Sequence, residues 1–269
     1  MDRGVPEGAS GSQPSGPFHL RFGAVSVVGP VREHNEDNYF VPPEGSGQLL
    51  FVVADGMGGQ QAGEQASSMA VKDIPRELQN RMCLESSDDE KGIVRAIRDA
   101  VAHANQEILS LASVETEFSN MGTTVVLALF QRDTVYVSGI GDSPAYRLRD
   151  GRLEQLTRDH SLAKALEEAG TITSEEVPTH KFKNVLYLYL GSKDARSGPE
   201  EVRVMDLKAG DRFLLATDGL TGVVADERLA EALRISTDPP KTAQALVSEA
   251  LANNSKDNIT CVVIHVEGA

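Results

Sequence analysis

The chain has 269 residues, 40% apolar and 25% charged, which fits one globular domain, since single cores run to about 250–300 residues. A formal net charge of −14 argues against a nucleic-acid backbone or an anionic membrane as the main partner. Two distant cysteines, Cys83 and Cys261, no apolar stretch near the roughly 20 residues that span a bilayer, and no apolar signal-peptide region lead us to expect a cytoplasmic protein.

Residues 1–17 are mostly glycine, proline, serine and charge, and they read as a flexible tail before a single domain at 18–269. Residues 18–28 alternate apolar and polar side chains, the period of a half-buried strand. A dense polar patch, Arg32-Glu33-His34-Asn35-Glu36-Asp37-Asn38, leads into Tyr39-Phe40-Val41. Residues 49–54 form an unbroken apolar run, a strand buried on both faces, and it ends in Asp55-Gly56-Met57-Gly58-Gly59.

Residues 61–82 have helical composition, with Pro75 an obstacle to their second half. Residues 86–90 read as an acidic loop. The stripe Ile93, Ile97, Val101, Ala104, Ile108, Leu111 makes 92–111 the clearest helix. From Gly122 the period becomes two: 123–130, 134–140, 145–149 and 152–156 read as a meander, with Asp150-Gly151 as a hairpin turn.

A short helix over 161–169 stops at Gly170, and 171–193 read as a long surface excursion. Strands are expected at 202–207 and 212–217, and helices at 226–235 and from Asp238-Pro239-Pro240 to about 253, the second capped by Asp238. A final strand spans 259–266. Many antiparallel-type strands with a few helices indicate an α+β domain of packed sheets with helices outside.

Several strands carry an aspartate at a terminus: Asp55-Gly56, Asp218-Gly219, Gly141-Asp142-Ser143, and Asp257-Asn258 before the last strand. Glu36-Asp37 precedes another. Each alone is ordinary turn chemistry. If the ends share one edge, however, the carboxylates repel and need cations. All-oxygen ligands without Cys/His spacing suit magnesium or manganese and not zinc. Two ions sharing a carboxylate suit the activation of water for phosphoryl displacement.

The ordered motifs identify a resemblance. Arg32-Glu33-His34-Asn35-Glu36-Asp37, Ala54-Asp55-Gly56-Met57-Gly58-Gly59, Ala62-Gly63-Glu64, Gly122-Thr123-Thr124, Gly141-Asp142-Ser143, Thr157-Arg158-Asp159-His160-Ser161, Thr217-Asp218-Gly219 and Asp257-Asn258-Ile259-Thr260 follow one another. Over about residues 20–267 the chain resembles the metal-dependent serine/threonine phosphatases of the protein phosphatase 2C type, the PPM family, in its bacterial branch.

The resemblance implies a four-layer αββα sandwich, two antiparallel β-sheets flanked by helices, with two Mn2+ or Mg2+ ions per chain at one end. It implies Asp55 as the ligand common to both ions, the Gly56 carbonyl on one, and Asp218 and Asp257 on the other. Glu36 and Asp37 would ligate directly or through water, and Arg32 would contact the substrate phosphate. Asn258 would support the last ligand. A metal-bridging hydroxide would attack phosphorus without a phosphoenzyme. The substrates implied are phosphoserine and phosphothreonine proteins, in signalling opposite a serine/threonine kinase, with the enzyme a monomer that contacts neither nucleic acid nor membrane.

The chain also departs from the family pattern. Met57 stands where eukaryotic relatives carry a histidine thought to protonate the leaving alcohol. Asp142 matches the ligand of a third ion, but Gly222 occupies a position often acidic, which leaves that ion open. Pro144 and Leu188 stand where arginines are frequent. These changes motivate an alternative of another class, a weakly active or inactive module that binds a phosphoprotein. A phosphatase for small phosphoesters is a third reading. His34 and His160 lie in family motifs outside the ligand set and read as structural. The remaining histidines read as surface or strand residues, since no spacing supports a metal.

Overall fold

Strand β4 (Leu49–Met57) explains the layering, because its unbroken apolar run faces two different cores. Leu49, Phe51 and Val53 belong to one buried cluster, while Leu50, Val52 and Ala54 belong to another. Side chains alternate across a strand, so six consecutive apolar residues are needed when both faces are covered. The computed structural model describes residues 7–59, 61–85 and 89–268.

One sheet combines β1 (Glu7–Ser15), β2 (Phe18–Val27), β8 (Ala145–Arg149), β9 (Arg152–Gln155), β11 (Arg212–Ala216) and β12 (Ile259–Gly268), in the order β1-β2-β12-β11-β8-β9. The other contains β3 (Asp37–Phe40), β4, β6 (Val125–Gln131), β7 (Thr134–Ile140) and β10 (Arg203–Asp206), in the order β10-β7-β6-β4-β3, with β5 (Gly122–Thr123) paired to β4. Every pairing is antiparallel.

Between the sheets lie Leu20, Phe22, Phe51, Val53, Val126, Phe130, Phe213, Leu215, Val262 and Ile264. Phe22, Phe51, Phe130 and Phe213 meet edge to face at 5.1, 5.6 and 5.3 Å, each contact contributing about 0.5–1.5 kcal/mol beyond burial. Helices α1 (Gln61–Glu85) and α2 (Glu90–Val114) cover the outer face of the β4 sheet through Ala66, Ile74, Leu78, Ile97 and Val101. Helices α5 (Asp226–Ile235) and α6 (Pro239–Ala252) cover the other sheet through Leu229, Leu233, Leu246 and Val247. The result is the expected αββα sandwich. Two short helices, α3 (Leu162–Glu168) and α4 (Asp218–Thr221), sit at loop positions, and the pattern of residues gave no sign of α4.

Four expectations need correction. Part of the supposed tail is a strand: β1 pairs with β2 from Glu7↔Ser26 to Ser15↔Phe18, while residues 1–6 lie outside the described residues. Its small side chains bury little apolar surface. The ladder and two buried polar side chains hold it instead: Gln13 donates to the Pro43 carbonyl at 2.6 Å, and Ser15 to that of Arg132 at 3.0 Å. The meander from β6 to β9 is broken, because β7 and β8 lie in different sheets and do not pair.

Helix α1 runs through Pro75, since the burial of Ile74 and Leu78 against α2 outweighs the missing hydrogen bond. Asp238 makes no side-chain cap on α6. Its carboxylate instead faces Arg21 at 3.8 Å and Lys241 at 3.3 Å. Of the expected acidic loop, residues 86–88 lie outside the described residues, whereas Asp89 caps α2 by accepting from the Gly92 N–H at 2.8 Å.

Candidate active site

The sandwich brings the strand-end acids to one end. Asp37 on β3 stands directly across from Asp55 on β4, and opposed residues of an antiparallel pair project from the same face. Asp218 opens α4 just after β11 and is near enough to Asp55 for each to influence the other's titration. Asp257 precedes β12, next to β11 in the same sheet. Asp142 lies in the turn where the chain crosses from β7 to β8, so the broken meander is what delivers it. Both sheets therefore contribute.

Asp37 is 4% exposed, and Asp55, Asp142, Asp218 and Asp257 are half-buried. Burial is the main cause pushing the Asp37 carboxyl up to about 7. Hydrogen bonds from Thr260 and Thr217 oppose the shift, and the charges of Asp218 and Asp257 add to it. Asp55 is raised well above the usual range by burial, then by Asp37, Asp218, Asp142 and Asp257. Asp142 is pushed up to about 8 by burial and by Asp218 and Asp159. Asp218 is raised by burial and Asp257, against the lowering effect of neighbouring Asp55, Arg32 and Lys183. The cluster is a place where negative charge is crowded and positive charge is favoured.

The framework around the acids is dense. Thr217 Oγ1 donates to Asp37 Oδ2 at 2.9 Å and accepts from the Thr260 N–H at 3.1 Å, tying β3 to the other sheet. Asp37 Oδ1 is buried with no partner among the described residues. The Gly56 N–H donates to the Glu36 carbonyl at 3.1 Å, and Ser67 Oγ of α1 donates to the same carbonyl at 2.5 Å. A Cβ at Gly56 would collide with the Gly63 carbonyl, and one at Gly63 with Glu36 Oε2. Glycine at both positions lets α1, β4 and the Glu36 loop touch through their backbones.

Arg32, 49% exposed by its side chain, donates to Asp257 Oδ2 at 2.7 Å, and this contact with the buried acids raises its pKa. Asn258 supports Asp257 through its backbone, its N–H donating to Asp257 Oδ1 at 2.9 Å, while its side chain has a second task. Its carboxamide donates to the carbonyls of Val28 and His34 at 2.8 and 2.9 Å and accepts from the Glu36 N–H at 2.8 Å. It staples the loop that holds Arg32 and Glu36.

The donor set suits a hard cation. It is all carboxylate and carbonyl oxygen, it includes a buried Asp37 oxygen with no partner among the described residues, and Asp55 and Asp218 are both held above the usual carboxylate range by burial and by the neighbouring acids. Among the described residues, no three His, Cys, Asp or Glu side chains already stand grouped as a finished cage.

Sequence reasoning missed the hydroxyls beneath the acids. Thr124 Oγ1 accepts from the Asp55 N–H at 3.0 Å and lies 2.6 Å from Ser143 Oγ. It also missed Asp159, pushed up to about 6 mainly by burial, with a Gln155 hydrogen bond opposing. The signal available was adjacency, since Thr217, Thr260 and Ser143 each lie within three residues of a cluster acid.

Residues 31–254 match the sequence profile of the family described as Protein phosphatase 2C. The chain belongs to the protein phosphatase 2C family. The serine/threonine phosphatase stp of Listeria monocytogenes is 34% identical over 238 residues, covering 88% of this chain and 92% of that one. The solved structure of serine/threonine phosphatase Stp1 from Staphylococcus aureus superposes with a TM-score of 0.84 at 32% identity, over 97% of this chain and 100% of that one. The catalytic domain of the phosphatase PstP, solved with two manganese ions, has a TM-score of 0.76 at 34% identity, over 92% of this chain and 98% of that one. The matched region contains every acid of the cluster except Asp257, which lies three residues past the profile's end at 254.

Proposed function

We propose that this protein phosphatase 2C member hydrolyses phosphoserine and phosphothreonine in protein substrates, using two Mn2+ or Mg2+ ions held by the acidic cluster. The observation that carries the reading is the convergence of Asp37, Asp55, Asp142, Asp218 and Asp257 from five chain segments, with Arg32 bonded to one of them. Asp55, the Gly56 carbonyl, Asp218 and Asp257 would hold the ions. Glu36 and Asp37 would complete the set directly or through water, and Asp142 would be the residue available to a third ion. Bound there, the ions supply Lewis acidity and activate water for displacement at phosphorus.

The chain's own groups do the rest. Burial and mutual repulsion raise both Asp55 and Asp218, so cation binding there would be linked to proton release. Thr217 fixes the Asp37 carboxylate by one oxygen and leaves the other for the site. Arg32, on a loop stapled by Asn258, presents a forked donor that suits a phosphate at the mouth of the cleft. Met57, at the place of the eukaryotic histidine, has no proton to give, so the leaving alkoxide must take its proton from water or from another group.

The binding-module alternative has little support in the structure. Leu188, one of its motives, is 7% exposed and packed with Leu190 in the α1–α2 core, and the Pro144 carbonyl accepts the Ala216 N–H at 3.1 Å. Both departures occupy packing positions, and the acids stay in place. The cytoplasmic setting, the monomeric state and a kinase counterpart belong to the same reading. Among the described residues no helix is long and apolar enough to cross a membrane.

The test is phosphopeptide turnover against Mn2+ concentration for the wild type and Asp218→Asn, with chelator as control. Wild-type turnover that saturates with Mn2+, stops with chelator and falls at least about 100-fold in the variant is the expected result. Turnover indifferent to chelation sinks the reading.

A further inference from the structure

The sequence presents His160 as a structural histidine, but its contacts place it between two parts of the site. On one side is the turn that carries Asp142. Gly141 there has φ +104, and a Cβ on it would lie 2.6 Å from the Cβ of Thr124, so Thr124 walls the turn from the Asp55 side. Ser143 Oγ, 2.6 Å from Thr124 Oγ1, closes that wall. His160 closes the opposite side. Its N–H donates to the Gly141 carbonyl at 2.9 Å, and its ring Nδ1 lies 3.1 Å from both the N–H and the carbonyl oxygen of Gly141. One ring tautomer accepts from that N–H and the other donates to that carbonyl, so the ring pins the Gly141 backbone in either form.

On its other side His160 holds the segment after residue 180. Its carbonyl accepts from the Tyr187 N–H at 3.0 Å, and the two rings meet edge to face at 5.6 Å and 88°. The contact continues as a ladder: Ser161 bridges Leu186, and the Leu162 N–H donates to Val185 at 2.7 Å. His160 is 8% exposed, whereas Val185 and Tyr187 are 43% and 36% exposed, at the surface.

We propose that His160 is a positioning residue that couples the Val185–Leu186–Tyr187 segment to the Asp142 turn, so that the surface segment and the acid hold their places together. Resting on the phosphatase reading above, it goes beyond that reading by assigning the coupling to one side chain. A bland core histidine needs only its volume and its ring. A positioning histidine needs the polar atom at the Nδ1 place, and asparagine can supply one there while phenylalanine supplies the ring alone.

The experiment compares His160→Phe with His160→Asn. With saturating Mn2+ and a phosphopeptide, kcat of His160→Phe is expected to fall about 10–100-fold, the range for groups that orient a ligand, with KM within about threefold of wild type. His160→Asn is expected to restore kcat to within about threefold. In chelator, hydrogen–deuterium exchange across residues 139–144 is expected to speed up in His160→Phe and not in His160→Asn, a readout independent of turnover. In an Asp142→Ala background, His160→Phe is expected to cost less than about twofold more, since both changes act on one unit.

Unchanged kcat in His160→Phe overturns the inference, as does equal damage by both substitutions or full additivity with Asp142→Ala. If His160→Phe does not fold, the surface variant Tyr187→Ala decides. Loss that vanishes in the Asp142→Ala background supports the coupling, and additive loss overturns it. A wild type that releases no phosphate with Mn2+ sinks the phosphatase reading along with the inference, whereas failure in the variants alone leaves the phosphatase reading standing.

Discussion

The two ends of β12 bury titratable groups in opposite ways. At its start, Asp257 joins the acidic cluster. Near its far end His265, 4% exposed, pairs in register with Arg212 on β11 and Arg21 on β2. Burial, Arg212 and Arg21 push His265 down to about 4, against the pull of Asp238. The arginines themselves are satisfied. Arg21 reaches the Thr237 carbonyl and Glu267, both at 3.2 Å, and Arg212 donates to the carbonyls of Leu233 and Ser236.

This end resolves its crowding by shedding a proton, which leaves a neutral ring at pH 7. The acidic end can be neutral at pH 7 only by holding protons on carboxyls that water would strip, or by taking up cations. Burial of charge is therefore compatible with a closed structural site at one end and favours a cation at the other.

The sharpest test of that contrast pairs Asp55→Asn with His265→Phe. Asp55→Asn is expected to lower kcat/KM at least about 100-fold, several kcal/mol of lost charge stabilisation, while its melting temperature in chelator rises because a repelled carboxylate is gone. His265→Phe is expected to leave kcat/KM within about twofold, since it lies at the far end of the strand. An Asp55→Asn protein that melts lower in chelator than wild type would show that the acid end is stabilised by its own contacts, and the contrast would collapse.

A smaller effect, opposite in sign at the two ends, should appear in stability against pH. Asp37 at about 7 and Asp142 at about 8 lie above their unfolded value of 3.8, so between those limits the folded chain binds more protons than the unfolded one. Their contribution in chelator therefore falls as pH rises through that window. His265 lies at about 4 folded against 6.5 unfolded, so there the unfolded chain binds more protons and stability falls as pH drops through that window. Urea midpoints should show Mn2+ flattening the alkaline loss and His265→Phe flattening the acid loss. An alkaline loss that Mn2+ leaves untouched would break the assignment of that limb to the acidic cluster.

Much of this arrangement was legible in the sequence, and the illegible parts have physical causes. The apolar run of β4 and the aspartates at strand ends could be read because burial on both faces and termination at solvent leave local marks. The sheet switch at Gly141 could not, because β7 and β8 have the same period whether they pair with each other or with strands of opposite sheets. Asn258 could be read as a support of Asp257, which its N–H is, but its side-chain partners Val28, His34 and Glu36 lie more than 200 positions away and were not legible. Thr124, Thr217 and Thr260 read as ordinary strand residues, because only the fold decides which hydroxyl meets a carboxylate or its backbone. The same holds for His160, whose place between Tyr187 and Gly141 is a matter of three-dimensional register.

Strand β1 marks the lower end of the scale. Its sequence has the composition of a tail, so what keeps it in the sheet must be polar. Gln13 is 4% exposed and donates to the carbonyls of Pro43 and Pro42 at 2.6 and 3.3 Å, fastening the edge strand to the loop before β4. Gln13→Ala leaves those carbonyls without that donor and is expected to cost about 1 kcal/mol, a fall of about 2–4 °C in melting temperature, with no change in kcat. An unchanged melting temperature would mean that the backbone ladder alone holds β1. A fall in kcat would mean that the edge strand and the loop before β4 reach the acidic end through β4 itself, so that the stability of the sheet edge and the geometry of Asp55 are one property and not two.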